Sequence, residues 1–213
     1  TWLWKGNGLL WNKIQEGGTV RTAGTDYIRI VFAKELEQLK SHNEEMCEHV
    51  VNILSMASDS FWTNPASATG VHHPATSNGF GGNIMHTKQA FWILSTLLDG
   101  DSVMSSNKAY LASGCSAILL HDICKFEFPL ESHGYAGSKL INDYISNTKM
   151  SESCKDMLQI AARCVAFHMG KWGDVNLQFS NPTCRYDVEQ LIVYVHQAEI
   201  GRASCRERVS RCV

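Results

Sequence analysis

The chain has 213 residues and a mass of 23.8 kDa, of which 44% are hydrophobic and 19% charged. Those proportions suit a folded domain with a buried core and exclude disordered, collagen-like, coiled-coil and disulfide-dense miniprotein chains. A formal charge of -2 and a pI near 6.5 give no broad basic field for nucleic acid, and no apolar run approaches the roughly 20 residues of a membrane span.

Residues 1–25 show no clear helical period and are expected to pack poorly. From 26 to about 58 the chain lacks proline, and Ile30, Leu36, Leu39, Val50, Ile53 and Leu54 recur mostly at three-to-four spacing. That spacing predicts one long helix, so residues 1–59 read as an N-terminal extension that ends in it. Trp62, Pro65, Gly70, Pro74, Gly79, Gly81 and Gly82 then mark a long irregular loop over 62–83. Helical periodicity resumes at about 84–98, 105–123, 134–147, 151–168 and 185–198, with Asn181-Pro182 breaking the chain before the last. No strand-type alternation of any length lies beyond the first thirty residues, and there is no internal repeat. The expected fold class is all-α, with 60–198 as the main domain and its core over about 84–198.

Eight cysteines are present, and Cys115, Cys124, Cys154 and Cys164 sit in helical runs among small and apolar residues. No Cys-x-x-Cys pair occurs, which removes the zinc-knuckle reading. Buried free thiols in a reducing, cytoplasmic setting are the expectation.

The nine histidines carry more information, because several form an ordered series. His86 follows Gly81-Gly82-Asn83-Ile84-Met85, and His121-Asp122 ends the apolar run Ala117-Ile118-Leu119-Leu120. His133 stands before Gly134 and Gly137, and His168 lies in Ala166-Phe167-His168-Met169-Gly170. Imidazole and carboxylate donors suit Zn, Mn, Fe or Ni. Adjacent His and Asp at a helix end can face one ion, since the backbone there departs from strict helical spacing. The candidate metal ligands are therefore His86, His121, Asp122, His133 and His168. The other histidines get plainer readings: His42, His49 and His196 as helix-surface residues, and His72 and His73 as turn or site-lining residues. Trp62, Trp92 and Trp172 read as core or rim aromatics, and Lys88 and Lys171 as surface charges.

At the ligand positions the chain resembles the HD superfamily of metal-dependent phosphohydrolases. The signature of that family is a His, then a His-Asp pair, then a distant Asp, all on helices. His86 matches the first His, and His121-Asp122 in Leu119-Leu120-His121-Asp122-Ile123-Cys124-Lys125 matches the pair, with Cys124 where the family commonly has Gly. Asn64-Pro65-Ala66-Ser67-Ala68-Thr69-Gly70-Val71-His72-His73-Pro74, with Gly81-Gly82-Asn83-Ile84-Met85-His86-Thr87-Lys88, is similar to a subgroup common in bacteria and their viruses. His133 and His168 match the extra histidines of members that hold two metals.

The resemblance spans roughly 60–198. It implies a helical bundle with the metal site in its core and two divalent ions drawn from Mn, Fe, Ni, Co or Zn. It also implies hydrolysis of a nucleotide-type phosphomonoester or phosphodiester, with a small nucleotide-like ester or short nucleic acid as partner and no membrane. Asp122 is expected to bridge the ions and orient the attacking water, and Lys125 to reach a phosphate oxygen as a point charge. Two other readings stay open: a di-iron oxygenase built on the same ligand set, and a nucleotide-sensing domain with a degenerate site.

The last segment reads differently. Residues 199–209, Glu-Ile-Gly-Arg-Ala-Ser-Cys-Arg-Glu-Arg-Val, resemble a common short-read sequencing adapter translated in frame. Residues 199–213 are therefore expected to be an artefactual tail without core contacts. The resemblance puts the family's final Asp after the apolar run 191–198, at position 199, where this chain has Glu. The natural residue there is expected to be Asp, and Glu199→Asp to raise turnover.

Overall fold

The computed structural model describes residues 24–67, 77–128, 132–170 and 186–200. Ten helices follow in order among them: α1 (Thr25–Val31), α2 (Ala33–His42), α3 (Glu44–Leu54), α4 (Asp59–Thr63), α5 (Gly82–Asp99), α6 (Ser102–Ser105), α7 (Lys108–Leu120), α8 (His133–Asn147), α9 (Glu152–Phe167) and α10 (Tyr186–Ile200). No strand occurs among the described residues, so the fold is all-α, as expected.

The single long helix expected before residue 58 is in fact three. Phe32 leaves helical geometry at φ -105° and ψ 29°, and Asn43 is extended at φ -158° and ψ 114°. Asn43 caps the next helix, its side-chain oxygen accepting from the Met46 N–H at 2.8 Å. The apolar period runs across both breaks, so periodicity alone cannot reveal them. The Asn43-Glu44-Glu45 start signal was the readable clue. Ile30, counted in the apolar series, is 76% exposed and lies off the buried face.

These early helices are part of the core. Ile28, Phe32, Leu39, Val50, Ile53 and Leu54 are fully buried in the same cluster as Leu94, Ile118, Leu158, Leu191 and Val195. The core therefore begins well before residue 84. At its centre lies α7, in which every residue from Tyr110 to Leu120 is buried. A helix apolar all round belongs in an interior, and here α2, α3, α5, α9 and α10 all pack on α7. The expected helix at 105–123 is shortened at both ends. Asn107 caps its start, accepting from the Ala109 N–H at 3.0 Å, and the chain turns away after Leu120. Helix α8 lies along α9, and α10 crosses α5 and α9.

Trp62 is buried beside Phe61 and Phe32, with ring centroids 5.0 and 6.1 Å away, so it is a core aromatic. Cys47, Cys115, Cys124, Cys154 and Cys164 are buried free thiols. Among the described residues no helix is long and apolar enough to cross a membrane.

Candidate metal centre

The five expected ligands converge from helix ends. His86 lies in the first turns of α5, His121 ends α7, Asp122 follows it, His133 opens α8 and His168 ends α9. Each is buried, with at most 1% of its surface exposed. Helix ends suit this task because side chains there project beyond the cylinder, and several helices can aim at one point without colliding.

A sixth candidate ligand corrects the expectation for the tail at its first residue, while 201–213 lie outside the described residues. Helix α10 continues through Ile200, and Glu199 Oε2 lies 2.7 Å from His86 Nε2 and 3.0 Å from His121 Nε2. Position 199 is thus a site residue with core contacts, and Glu is long enough to reach. The side chain is only 12% exposed. The apolar run 191–198 was the correct pointer, since it places position 199 one turn beyond the buried Val195.

The six residues form two donor groups sharing one carboxylate. In the first, His86, His121, Asp122 and Glu199 offer atoms within 4.8 Å of one another. The two imidazoles meet at 3.2 Å between Nε2 atoms, and Asp122 Oδ2 is 3.3 Å from His121 Nε2. In the second, Asp122, His133 and His168 do the same, with His133 Nε2 3.0 Å from His168 Nε2. Asp122 Oδ1 faces this group, 3.1 Å from His133 Nε2 and 3.7 Å from His168 Nε2. The aspartate therefore gives one oxygen to each group.

Backbone carbonyls fix the imidazole orientations. His121 Nδ1 donates to the Ile118 carbonyl and His168 Nδ1 to the Val165 carbonyl, both at 2.7 Å. With Nδ1 tied to an acceptor, Nε2 is the nitrogen turned to the cluster, the usual arrangement behind a metal-ligating His. Gly134 allows the approach of α8 to α9, because a Cβ there would lie 2.9 Å from the Val165 carbonyl oxygen and 3.1 Å from His168 Nδ1.

His196 was expected on the helix surface; it is instead half-buried and donates from Nδ1 to the His168 carbonyl at 2.6 Å. Its ring fills the space over Gly170, whose φ is +55° and where a Cβ would lie 2.5 Å from His196 Cε1. Three residues before Glu199 on α10, His196 ties the helix of the first group to the end of the helix of the second. Nothing in the local sequence distinguishes it from an ordinary surface His.

Charge explains how such a cluster holds together. Burial would raise both carboxyl pKa values, but His121 and Lys125 hold Asp122 well below the usual range, and His86 and His121 do the same for Glu199. Burial opposes the charge on His121 too, yet Asp122 and Glu199 outweigh it and raise its pKa to about 10. His168 goes the other way, lowered by burial and then by neighbouring histidines. A proton on His121 thus does the balancing that a cation would do. Lys125 Nζ sits 2.6 Å from Asp122 Oδ2, its side chain only 12% exposed, so it is a member of the cluster rather than a solvated helix-end lysine. Burial opposes its charge as well, and Asp122 and Glu199 again reverse the effect and raise its pKa.

The donor chemistry fits divalent metal. Four imidazoles and two carboxylates suit Mn, Fe, Co, Ni or Zn, and no thiol is among them. Asp122 Oδ1 is buried and accepts no hydrogen bond of good geometry, although His133 Nε2 is 3.1 Å away. That geometry would let both side chains ligate one ion. Of the remaining candidates, Trp92 is 44% exposed and donates to Glu35 Oε1 at 3.1 Å, and Lys88 lies over the Phe32 ring at 5.9 Å. His42 is half-buried rather than on the surface, and His49 is buried. His72, His73, Lys171 and Trp172 lie outside the described residues. Compared with models of known families, with curated proteins and with solved structures, the chain matches none.

Proposed function

We propose that the chain is an HD-type hydrolase that uses two divalent metal ions to cleave a nucleotide-like phosphomonoester or phosphodiester. The observation that carries this reading is Asp122, which turns one oxygen to each of two donor groups. His86, His121, Asp122 and Glu199 would hold one ion, and Asp122, His133 and His168 the other. Bound there, the ions supply a water of lowered pKa and positive charge for phosphoryl oxygens.

The protein groups do the positioning. Asp122 fixes the two ion sites relative to each other, and Lys125 pins its Oδ2. Lys125 also adds a fixed positive charge at the rim, where a substrate phosphate oxygen would lie. The carbonyls of Ile118 and Val165 keep two imidazoles aimed inward, so little reorganisation is needed on binding. Burial of His86, His121, Asp122, His133 and His168 keeps bulk water from most of the donor set and favours a small phosphate ester over a duplex. The reduced thiols fit work in a reducing compartment such as the cytoplasm. Glu199, within reach of His86 and His121, counts against a degenerate sensor site.

The test is a screen for phosphatase and phosphodiesterase activity across Mn, Fe, Co, Ni and Zn, with metal content and oxygen uptake measured together. Phosphate ester cleavage that requires metal and disappears in His121→Ala supports the proposal. Substrate-dependent oxygen uptake by the iron form, without ester cleavage, reassigns the site to the oxygenase reading. Equal activity in His121→Ala rejects both.

A further inference from the structure

A second group of donors lies away from this centre and takes no part in the proposed hydrolysis. Glu45 and His49 are one turn apart on α3, and Cys154 is the third residue of α9. One ligand atom from each lies within 4.8 Å of the other two. His49 and Cys154 are buried, whereas the Glu45 side chain is 41% exposed and opens the group to solvent. We propose that Glu45, His49 and Cys154 form a separate zinc site that clips α3 to the first turn of α9.

The surroundings of the three donors are those of a ligand set. His49 Nδ1 meets the Tyr144 hydroxyl at 2.8 Å, which leaves Nε2 as the nitrogen turned to Glu45. Nε2 and Glu45 Oε1 are 3.9 Å apart, too far for a hydrogen bond. The Glu45 oxygens are steadied from the other side, accepting from the Ser151 N–H at 2.7 Å and the Ser151 hydroxyl at 2.5 Å. Both the imidazole and the carboxylate thus carry the outer hydrogen bonds that orient metal ligands.

The spacing suits zinc. Tetrahedral bonds of about 2.0–2.3 Å place ligand atoms about 3.3–3.8 Å from one another, so a contraction of about 1.5 Å at most closes the set. A thiolate and a carboxylate neutralise the dication, so no net charge is buried. The thiol proton leaves to solvent on binding. Three protein ligands leave the fourth position to water, on the side that Glu45 opens. The site does not overlap the first centre. Cys154 and His168 stand at opposite ends of α9, about 21 Å apart along its axis at the rise of a helix.

Cobalt(II) added to the reduced, metal-free full chain reads this site by itself, because the other centre has no thiol and gives no thiolate-to-cobalt charge-transfer absorption. The expected result is a saturable near-ultraviolet band that Zn²⁺ displaces, that Cys154→Ser abolishes and that His86→Ala leaves in place. Glu45→Gln, on the surface and harmless to the core, should weaken cobalt binding tenfold or more, and so should Tyr144→Phe through the orientation of His49. Absence of the band, its survival in Cys154→Ser, or unchanged cobalt affinity in Glu45→Gln overturns the proposal. None of these outcomes bears on phosphate ester cleavage at the first centre.

Discussion

Asp122 is the residue on which the first centre turns. Its replacement by Asn keeps the volume, removes the charge and leaves Glu199 as the one remaining carboxylate among the causes that hold charge on His121 and Lys125. Asp122→Asn should therefore lose metal from both groups and lower turnover about 100-fold or more, about 2.7 kcal/mol of barrier. Metal analysis beside the activity assay checks this, and loss of only one ion would show that the carboxylate does not bridge. Glu199→Gln should weaken binding in the first group alone, because the His133 and His168 nitrogens do not contact position 199.

The acid–base behaviour follows from the same residues. In the metal-free chain the pKa of His121 is raised from 6.5 to about 10, so its contribution to stability is fully present below 6.5 and is lost as pH rises through 10. The lowered pKa values of Asp122 and Glu199 work oppositely. Their contribution is present above the ordinary carboxyl range and disappears only in strong acid. The melting temperature of metal-free protein should therefore fall between pH 6.5 and 10. Saturating metal, which replaces the proton, should flatten that fall. An identical decline with and without metal would mean that no ion displaces the His121 proton.

At the scale of helices, the second donor group depends on how α8 meets the end of α9. His133→Ala and His168→Ala should each remove one equivalent of metal from the first centre without unfolding the bundle. Both cavities lie beside helix ends rather than in the α7 core. Circular dichroism with metal analysis decides the matter, and full metal content in both variants would leave a one-metal site. The His196 strut makes a different claim. Gly170→Ala forces a Cβ to within 2.5 Å of the ring, and His196→Ala deletes the bond to the His168 carbonyl. Each should weaken metal at the second group about 10–100-fold while leaving the helix content unchanged, as loss of an outer partner does.

Across the whole molecule, the N-terminal helices are structural members of the bundle. Phe32 is fully buried between α1 and α2, and Phe32→Ala should cost about 3–5 kcal/mol in urea unfolding. A cost below about 1 kcal/mol would return these helices to the role of an appendage. The sequence made the later helices legible because α5, α8, α9 and α10 each carry a clean period bounded by Gly, Ser or Pro. It hid the breaks at Phe32 and Asn43, where apolar spacing continues through a change of direction. The metal ligands were legible for a different reason: His-Asp at the end of an apolar run has few other uses. Glu199 was located by its run, but the adapter-like string that starts there set it apart from the domain, whereas α10 continues through Ile200. His196 was invisible, since its role is set by Gly170, which is distant in sequence.

The placement of the ligands at the ends of five helices also sets a time of assembly. Glu199 closes on His86 across 113 residues, and no helix brings in more than a fraction of the set. Such long-range closure comes late in folding. The donor group of His86, His121, Asp122 and Glu199 is therefore incomplete until α10 has docked, and a metal held there would be captured late in folding rather than at its nucleus. The rate of metal uptake during refolding then becomes a clock for the docking of that helix.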